Sequence, residues 1–325
     1  MHKLQAFKFE LIPNGWQRHQ MRCFAGTCRF VFNKALAYQI EQYQSDPSTK
    51  FSYTTLANLL PGWKKEFTWL AAAPSQVLQQ SLKHLESAYK NFFAQRTEFP
   101  RFKKKGLSSD SFRFPQGFKI DESNSRIFLP KLGWMRYRNS RNILGTPKNI
   151  TVSCVAGKWH ASVQTEQEVE HPVHPAISMV GVDVGIAKFA TLSDGTVFEP
   201  VNSFKQRQRH LAILQRQMSH KVKFSSNWKK AKARVTRLHA KIARIRQDYL
   251  HKTTTTLSKN HALVVIEDLQ VKNMSASARG TASKPGRNIR QKSGLNKSIL
   301  DQGWFEFRRQ LEYKQEWRGG EVLAV

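Results

Sequence analysis

Acidic side chains are scarce in this sequence. Its 325 residues include 23 aspartates and glutamates against 53 lysines and arginines, which gives a formal net charge of +30. So large an excess of one sign repels itself in a folded protein unless an anionic partner neutralises it. Nucleic acid is therefore the expected partner, and an anionic membrane surface is the alternative.

Long apolar runs are also missing. No stretch approaches the roughly 20 apolar residues that a transmembrane helix needs. The amino-terminal sequence MHKLQAFKFELIPNG lacks the apolar core of a signal peptide. These absences argue against a membrane partner and predict a soluble, intracellular protein.

Cysteine is rare, and its three copies at positions 23, 28 and 154 form no Cys-x-x-Cys pair. That spacing encodes neither a disulfide framework nor a zinc ribbon, and it fits a reducing compartment. Cys23 and Cys28 lie in the helix-like stretch MRCFAGTCRFVFNKAL, which has no second ligand pair nearby. We predict that both cysteines are packed in the fold and that the protein uses no zinc.

The pattern of the sequence changes along the chain. Residues 3–12 alternate like a strand and end at a Pro-Asn-Gly turn signal. Apolar residues then repeat at helical spacing to about residue 100. From 99 to 170, short β-rich runs broken by glycine, proline and asparagine predict a small barrel or meander, and EVEHPVHPAIS follows as a linker.

Residues 203–260 are strongly basic, with Asp248 as their only acid. Apolar side chains recur at helical spacing, so this stretch predicts two basic helices that form a hairpin. A solvated helix face normally mixes glutamate with lysine, so the near absence of acids favours a surface that follows phosphates. Residues 278–298 are also basic but lack periodicity, and they predict a loop. The side chains that we expect to bind nucleic acid are Lys229, Lys230, Lys232, Arg234, Arg237, Lys241 and Arg244.

One acid lies in the middle of an apolar strand, and another stands at the end of a second. Asp183 lies in the strand MVGVDVG, and Glu267 follows the strand ALVVI. A lone acid at such a position is commonly a cap or turn residue, but two on one sheet repel each other unless a divalent cation lies between them. We therefore predict that Asp183 and Glu267 bind Mg²⁺ or Mn²⁺, which activates water in phosphodiester cleavage.

Several segments together resemble one known family. GVDVGIAKFATLSDG, VVIEDLQVKNM and DQGWFEFRRQLEYKQEWRGGEV are similar to successive parts of the RuvC-type nuclease domain of the transposon-encoded TnpB family, compact relatives of the type V CRISPR effectors. Upstream, CRFVFNKALAYQIEQY, QSLKHLESAYKNFF, FPRFKKK and LPKLGWMRYR occur in the family's order. The resemblance covers essentially the whole chain.

This resemblance implies an α+β multidomain fold. A wedge-like, N-terminal β-barrel would comprise residues 1–13 and 99–172, interrupted by a helical recognition insertion at residues 14–98. An RNase H-like (RuvC) α/β domain would occupy residues 173–325, with the basic helical hairpin at about 203–260 as its insertion.

The same resemblance implies a function. Family members bind a structured guide RNA derived from the transposon end, read a short motif beside the target in double-stranded DNA, and cut DNA with RuvC carboxylates. Asp183 and Glu267 match the first two metal ligands, which implies Mg²⁺ as a cofactor. Tyr53, Gln76 and Gln79 match readers of the flanking motif, and plain helix surface is the alternative for the two glutamines. The implied location is the prokaryotic cytoplasm, in association with the nucleoid.

The chain departs from the family pattern at its carboxy-terminal end. Family members continue into a four-cysteine zinc ribbon and a third catalytic aspartate, whereas this sequence stops at GGEVLAV. Asp268 would point away from Glu267 in an extended strand. Asp301 is expected to be an N-cap or surface residue, so neither acid is a convincing third ligand.

Three hypotheses follow from that departure. The first is an RNA-guided DNA-binding protein whose nuclease activity is lost or severely impaired, such as a transcriptional repressor. The second is a metal-dependent RNA-guided DNA endonuclease associated with transposition, and the third is a truncated, incompletely folded remnant. We expect the first, because binding depends on the barrel, the helices and the basic surface, all of which the sequence retains.

Overall fold

The computed structural model describes residues 1–107, 109–281 and 283–325. The fold is mixed α/β and divides into an amino-terminal unit, His2–Glu168, and a carboxy-terminal unit, Val169–Val325 together with Met1. The domain boundary predicted after residue 172 falls within the first residues of the second unit. None of the described helices is long and apolar enough to cross a membrane.

A seven-stranded antiparallel sheet forms one part of the amino-terminal unit. Its strands are β1 His2–Ile12, β2 Ser111–Phe114, β3 Lys119–Asp121, β4 Arg126–Leu129, β5 Gly133–Tyr137, β6 Thr146–Val155 and β7 Lys158–Glu168. They are hydrogen-bonded in the order β2-β6-β7-β1-β5-β4-β3. Strands β3 to β5 form a meander. Because no ladder joins β2 to β3 among the described residues, closure into a barrel stays a prediction.

Local sequence signals explain the long central strands. β1 buries Phe7, Phe9 and Leu11 and leaves the residues between them outside the core, the pattern of a strand with one buried face. β6 and β7 are joined through Ala156 and Gly157, both in the left-handed region at φ 52° and 84°. Two-residue turns of that kind match the twist of antiparallel strands, so this hairpin is fixed locally.

Three helices lie between β1 and β2. They are α1 Gly15–Ser45, α2 Tyr53–Glu66 and α3 Ser75–Phe93, with a 3₁₀ turn at Thr68–Ala72. The helices and the sheet share one core, so a separate recognition insertion remains a functional proposal. Helix α3 faces the core as its apolar spacing predicts, and it buries Val77, Leu78, Leu82, Leu85 and Tyr89.

Asn14 fixes the start of α1. Its Oδ1 accepts a hydrogen bond from the Gln17 backbone N–H at 2.8 Å, and its own backbone N–H donates to Gln17 Oε1 at 3.1 Å. This reciprocal pair is a capping box. Gln17 Nε2 also donates to the carbonyls of Leu132 and Trp134 at 3.1 and 2.9 Å. The cap therefore also ties the helix to the start of β5.

The two cysteines of α1 have different environments. Cys28 is buried, with its Sγ 3.7 Å from the Val77 carbonyl, and burial raises the pKa of its thiol to about 12. Cys23 is exposed and lies 3.5 Å from His19 Nε2. The packing prediction is right for Cys28 and wrong for Cys23. Five residues turn an α-helix by about 140° beyond a full turn, so the two side chains lie on different faces.

The carboxy-terminal unit contains a five-stranded mixed sheet. Its strands are β8 Met179–Val184, β9 Ala190–Leu192, β10 Val197–Phe198, β11 Leu263–Ile266 and β12 Glu321–Ala324. They are ordered β10-β9-β8-β11-β12. β11 pairs in parallel with both β8 and β12, whereas β9 pairs antiparallel with β8 and β10. One face of this sheet carries the core residues Val180, Val182, Val264 and Ile266.

Helices supply the rest of this core. They are α4 Gln208–Ser219, α5 Ser226–Asn260, α6 Val271–Met274, α7 Ile289–Gln302 and α8 Trp304–Glu316, with a 3₁₀ turn at Lys205–Arg207. Leu250 and Leu257 of α5 and Phe307 and Leu311 of α8 join the buried face of the sheet. The apolar side chains of these two helices thus cover the strands from one side.

Helix α7 begins inside a stretch that the sequence predicted as a loop. Residues 278–298 lack an apolar period, yet the helix starts at Ile289. Ile299, just beyond that stretch, is buried in the core of the sheet. Packing in three dimensions stabilises helices that local preference alone does not, so the loop prediction is wrong from Ile289 onward. Ala282 lies outside the described residues.

Asp301, in the last turn of α7, is a buried acid that is only 4% exposed. Its carboxylate accepts hydrogen bonds from Ser203 Oγ at 2.9 Å, from the Phe204 backbone N–H at 2.9 and 3.0 Å, and from the Lys205 backbone N–H at 3.2 Å. These donors belong to the residues that begin the 3₁₀ turn leading into α4. The predicted N-cap or surface role is wrong, because the groups that Asp301 binds lie 97 residues earlier at Phe204.

Replacing Asp301 with alanine should destabilise the carboxy-terminal unit. The free energy of unfolding should fall by roughly 3 kcal/mol, the cost of leaving one or two buried donors without an acceptor. Thermal unfolding followed by circular dichroism measures the loss. Asp248→Ala is the matched control, because Asp248 is an exposed acid paired with Lys252 one turn away. Equal losses in the two variants would contradict the role of Asp301.

Lys314 joins α8 to α5. Its ammonium donates to the His251 carbonyl at 2.8 Å and to the hydroxyls of Thr254 and Thr255 at 2.6 and 2.8 Å. Burial, with a smaller contribution from the positive charge of Arg318, lowers the pKa of Lys314 to about 8. Three neutral oxygens therefore accept hydrogen bonds from the ammonium, while burial and the charge of Arg318 disfavour its positive charge.

This lowered pKa predicts a pH dependence of stability. Between about pH 8 and 10 the unfolded chain holds the Lys314 proton more tightly than the folded chain does, so the folded state gains stability as pH rises. We compare the free energy of unfolding of the wild type with that of Lys314→Met. The difference should rise by about 1 kcal/mol across this window, because solvent reaches Lys314 and screens part of the effect. Urea unfolding at several pH values measures it, and a constant difference would contradict the shift.

Candidate active site and nucleic-acid interface

The carboxyl ends of β8 and β11 bring two acids to neighbouring positions. The parallel ladder pairs Ile266 with Val182, and Glu267 and Asp183 each follow this pair by one residue. Val182 and Ile266 are buried, whereas Asp183 and Glu267 are exposed, as alternation along a strand requires. Asp183 and Glu267 therefore lie at the same edge and on the exposed face of the sheet.

Neither of these acids is neutralised by the fold. Within the described parts of the chain, no ion pair or hydrogen bond engages the carboxylate of Asp183 or Glu267. Like charges at neighbouring strand positions repel each other. Exposed carboxylate oxygens are the ligands that Mg²⁺ and other hard cations prefer, and Mg²⁺ commonly binds through only one or two of them. The pair therefore fits a single divalent cation.

Among the described residues, no third candidate ligand accompanies the pair. Across residues 1–107, 109–281 and 283–325, no group of three or more histidine, cysteine, aspartate or glutamate side chains could hold a metal ion. Asp268 forms an ion pair with Arg308 of α8, whose Nε lies 2.8 Å from Glu312 Oε1. Hydrogen bonds to Glu312 and Asp268 raise the pKa of Arg308. Asp268 thus connects α8 to the end of β11.

Helices α4 and α5 form the basic hairpin that the sequence predicts. They pack through Leu211, Val235, Leu238 and Ile242, which are the apolar residues of the helical repeat. The predicted nucleic-acid-binding side chains of α5 are all exposed, and none of them forms an ion pair within the described parts of the chain. They are Lys229, Lys230, Lys232, Arg234, Arg237, Lys241 and Arg244.

The three predicted motif readers lie on α2 and α3, Tyr53 at the start of α2 and Gln76 and Gln79 in the first turns of α3. Gln79 is exposed, whereas Tyr53 and Gln76 are half-buried. Lys83 was missed in the sequence. Its Nζ lies 3.7 Å from the centroid of the Tyr53 ring, and its position, four residues after Gln79, puts both side chains on one face of α3. Lys83 Nζ also lies 3.0 Å from Glu86 Oε2, so the Tyr53 ring and Glu86 both hold its ammonium beside the turn of α3 that carries Gln79.

Two family models match parts of the chain. Residues 162–278 match the OrfB_IS605 model, described as "Probable transposase", and this range contains β8, the basic hairpin and β11. Residues 1–47 match a model described as "Helix-turn-helix domain". In this structure residues 1–47 form β1 and α1, a strand and one long helix, so the second description does not fit the observed elements.

Curated relatives align with nearly the whole chain. The "Putative RNA-guided DNA endonuclease InsQ" of Escherichia coli K12 is 64% identical over 327 residues, which cover 100% of this chain and 81% of the relative. A "Putative RNA-guided DNA endonuclease" of Streptomyces pristinaespiralis is 34% identical over 328 residues, which cover 99% of this chain and 77% of the relative.

A solved structure shares the fold. A chain in the cryo-EM structure of a Cas12f1–sgRNA–target DNA complex superposes with a TM-score of 0.52 at 12% identity, covering 94% of this chain and 72% of that chain. The transposase match includes both acidic strands, and the identity to the Escherichia coli relative extends over all residues of this chain. The chain therefore belongs to the TnpB family.

Proposed function

We propose that this protein is an RNA-guided DNA endonuclease in which Asp183 and Glu267 form the catalytic pair. The observation that carries the proposal is the parallel register of β8 and β11, which places two exposed and unneutralised acids at neighbouring positions. The names of the curated relatives support the same activity. Its place of action would be the bacterial cytoplasm, at the nucleoid where its DNA target lies.

Asp183 and Glu267 would hold Mg²⁺ or Mn²⁺ through their carboxylate oxygens. Such an ion supplies an activated water and stabilises the leaving oxygen in phosphodiester cleavage. The exposed face of the sheet leaves the two acids open to a nucleic-acid backbone. Their own role would be to fix the cation at the carboxyl ends of β8 and β11, with Asp183 inside β8 and Glu267 directly after β11.

The basic hairpin would bind a structured guide RNA, which we propose derives from the transposon end. The seven predicted lysines and arginines of α5 are exposed and lack acidic partners within the described chain, so phosphates are their natural counter-ions. Tyr53, Gln76 and Gln79, with Lys83 beside them, would read the short motif that flanks the DNA target. Pairing between guide and target would supply the remaining specificity.

The loss of cleavage expected from the sequence has no support in the relatives, which are named as endonucleases. That expectation rested on the carboxy-terminal sequence. No contact of Asp183 or Glu267 within the described chain blocks their carboxylates. RNA-guided binding without cleavage, as in a repressor, therefore becomes one outcome of the experiment and not the proposal.

Cleavage should depend on both acids while binding should not. We would co-purify the protein with RNA from its own locus, add duplex DNA that matches this RNA, and score binding and cleavage separately with Mg²⁺ or Mn²⁺. Asp183→Asn or Glu267→Gln should each reduce cleavage by at least about a hundredfold. Target affinity should change little, because neither acid neutralises phosphate.

Asp194→Asn is the matched control. Asp194 is an exposed acid in the turn after β9, where it accepts a hydrogen bond from the Thr196 backbone N–H at 2.8 Å. Binding of Mn²⁺, followed by electron paramagnetic resonance, gives a readout that does not depend on activity. Cleavage that survives both substitutions would refute the catalytic pair, whereas a wild type that binds the target without cutting it would indicate a nuclease-deficient protein.

Affinity for RNA should depend steeply on salt. Each lysine that contacts phosphate contributes about 0.7 to 0.9 to the slope of log K against log salt. Replacing Lys229, Lys230 and Lys232 together with glutamine should therefore reduce this slope by about 2 to 3. Lys252→Gln is the control, because Asp248 already lies 2.8 Å from its ammonium. An unchanged slope in the triple variant would exclude these lysines from the interface.

A further inference from the structure

The turn between α4 and α5 exposes aromatic side chains. We call residues 220–228 the hairpin tip. Phe224 is 65% exposed and Trp228 is half-buried, and their ring centroids lie 5.5 Å apart at an interplanar angle of 60°. Neither ring belongs to the apolar contact between the two helices, which is made by other residues. The packing of the hairpin therefore does not explain this aromatic pair.

The backbone of the tip holds Phe224 in an unusual conformation. Its φ of 70° lies in the left-handed region, which side chains with a Cβ adopt at a cost of about 1–2 kcal/mol. On its two sides, the Ser225 backbone N–H donates to the Val222 carbonyl at 3.1 Å, and Ser225 Oγ accepts from the Trp228 backbone N–H at 3.2 Å. The start of α5 thus fixes a turn that leaves a large apolar ring in solvent.

Positive charges surround both rings. Lys223 Nζ lies 5.3 Å from the centroid of the Phe224 ring, and Lys232 Nζ lies 5.2 Å from that of the Trp228 ring. Lys221, Lys229 and Lys230 are exposed nearby in sequence, and Asp248 is the only acid between residues 203 and 260. A partner that matches this tip combines negative charge with flat apolar surfaces, which is the chemistry of a nucleic acid with unstacked bases.

We propose that the hairpin tip binds an unpaired segment of the guide RNA, with Phe224 and Trp228 stacking on its bases and the adjacent lysines binding its phosphates. The proposal rests on the guide-RNA binding put forward above. A duplex keeps its bases stacked and buried, whereas loops and ends of a structured RNA present them to aromatic side chains. Single-stranded DNA arises only after the target is unwound, so RNA is the partner that offers unpaired bases from the start.

The test compares unpaired with paired RNA on the whole 325-residue chain. The probes are an unstructured RNA of about 20 nucleotides, longer than typical single-strand sites, the same RNA annealed to its complement, and a DNA strand of the same sequence. Phe224→Ala should weaken binding of the unpaired RNA about tenfold, within the range for one stacked base. Duplex affinity should change less than about twofold, and the salt slope should not change, because no charge is removed.

Two variants serve as controls. Val173→Ala shortens an apolar side chain that is 91% exposed and lies outside the hairpin, so it should leave all affinities unchanged. Phe224→Tyr keeps the ring and should retain wild-type affinity for unpaired RNA. Thermal unfolding of each variant separates a folding defect from a binding defect, and Phe224 is exposed enough that its loss should not lower the melting temperature.

The outcomes separate this proposal from the guide-RNA function. No loss in Phe224→Ala, or an equal loss on paired and unpaired RNA, would overturn the stacking role while wild-type RNA binding still stands. A loss confined to the DNA strand would overturn the assignment to RNA and favour unwound target DNA. A wild type without salt-dependent affinity for any RNA would overturn both proposals together.

Discussion

The parallel pairing of β8 with β11 is the constraint on which the candidate active site depends. It joins segments far apart in the chain, and its register places Glu267 beside Asp183. A slip of β11 by one residue would turn Glu267 toward the core and Val264 and Ile266 toward solvent, so the two acids would no longer share a face. Because Val182 and Ile266 are buried in the sheet core, the hydrophobic effect opposes such a slip, so burial on one face determines the chemistry available on the other.

Helix α5 connects the sheet that carries the candidate active site to the proposed nucleic-acid surface. Its 35 residues extend for about 50 Å at 1.5 Å per residue. Leu250 and Leu257 in its second half pack on the sheet, whereas Val235 and Leu238 in its first half pack against α4. One continuous helix thus packs against both the sheet and α4. Asp301 completes this arrangement, since it binds the turn that leads into α4 and so fixes the other helix of the hairpin to α7.

The sequence predicts the elements whose signals are local. Apolar spacing identifies α3 and the basic hairpin, and short apolar runs identify β8 and β11, because burial of one face leaves a period in the sequence. Contacts between distant segments leave no such period. The hydrogen bonds of Asp301, the link of Lys314 to α5 and the contact of Lys83 with Tyr53 each depend on a partner brought close only by folding. The two cysteines of α1 show the same limit, since the sequence indicates a helix without indicating which face is covered.

The acids of the carboxy-terminal unit divide according to what holds them. Asp301 is buried and fully engaged by donors, so it stabilises the fold and is unavailable for chemistry. Asp183 and Glu267 are exposed, with no partner within the described chain, so their carboxylates make no contact that stabilises the fold. Charged residues without a structural role are typical of functional sites, where stability is given up for activity. This difference in environment, more than the presence of an acid at a strand end, supports the proposal that Asp183 and Glu267 bind a cation.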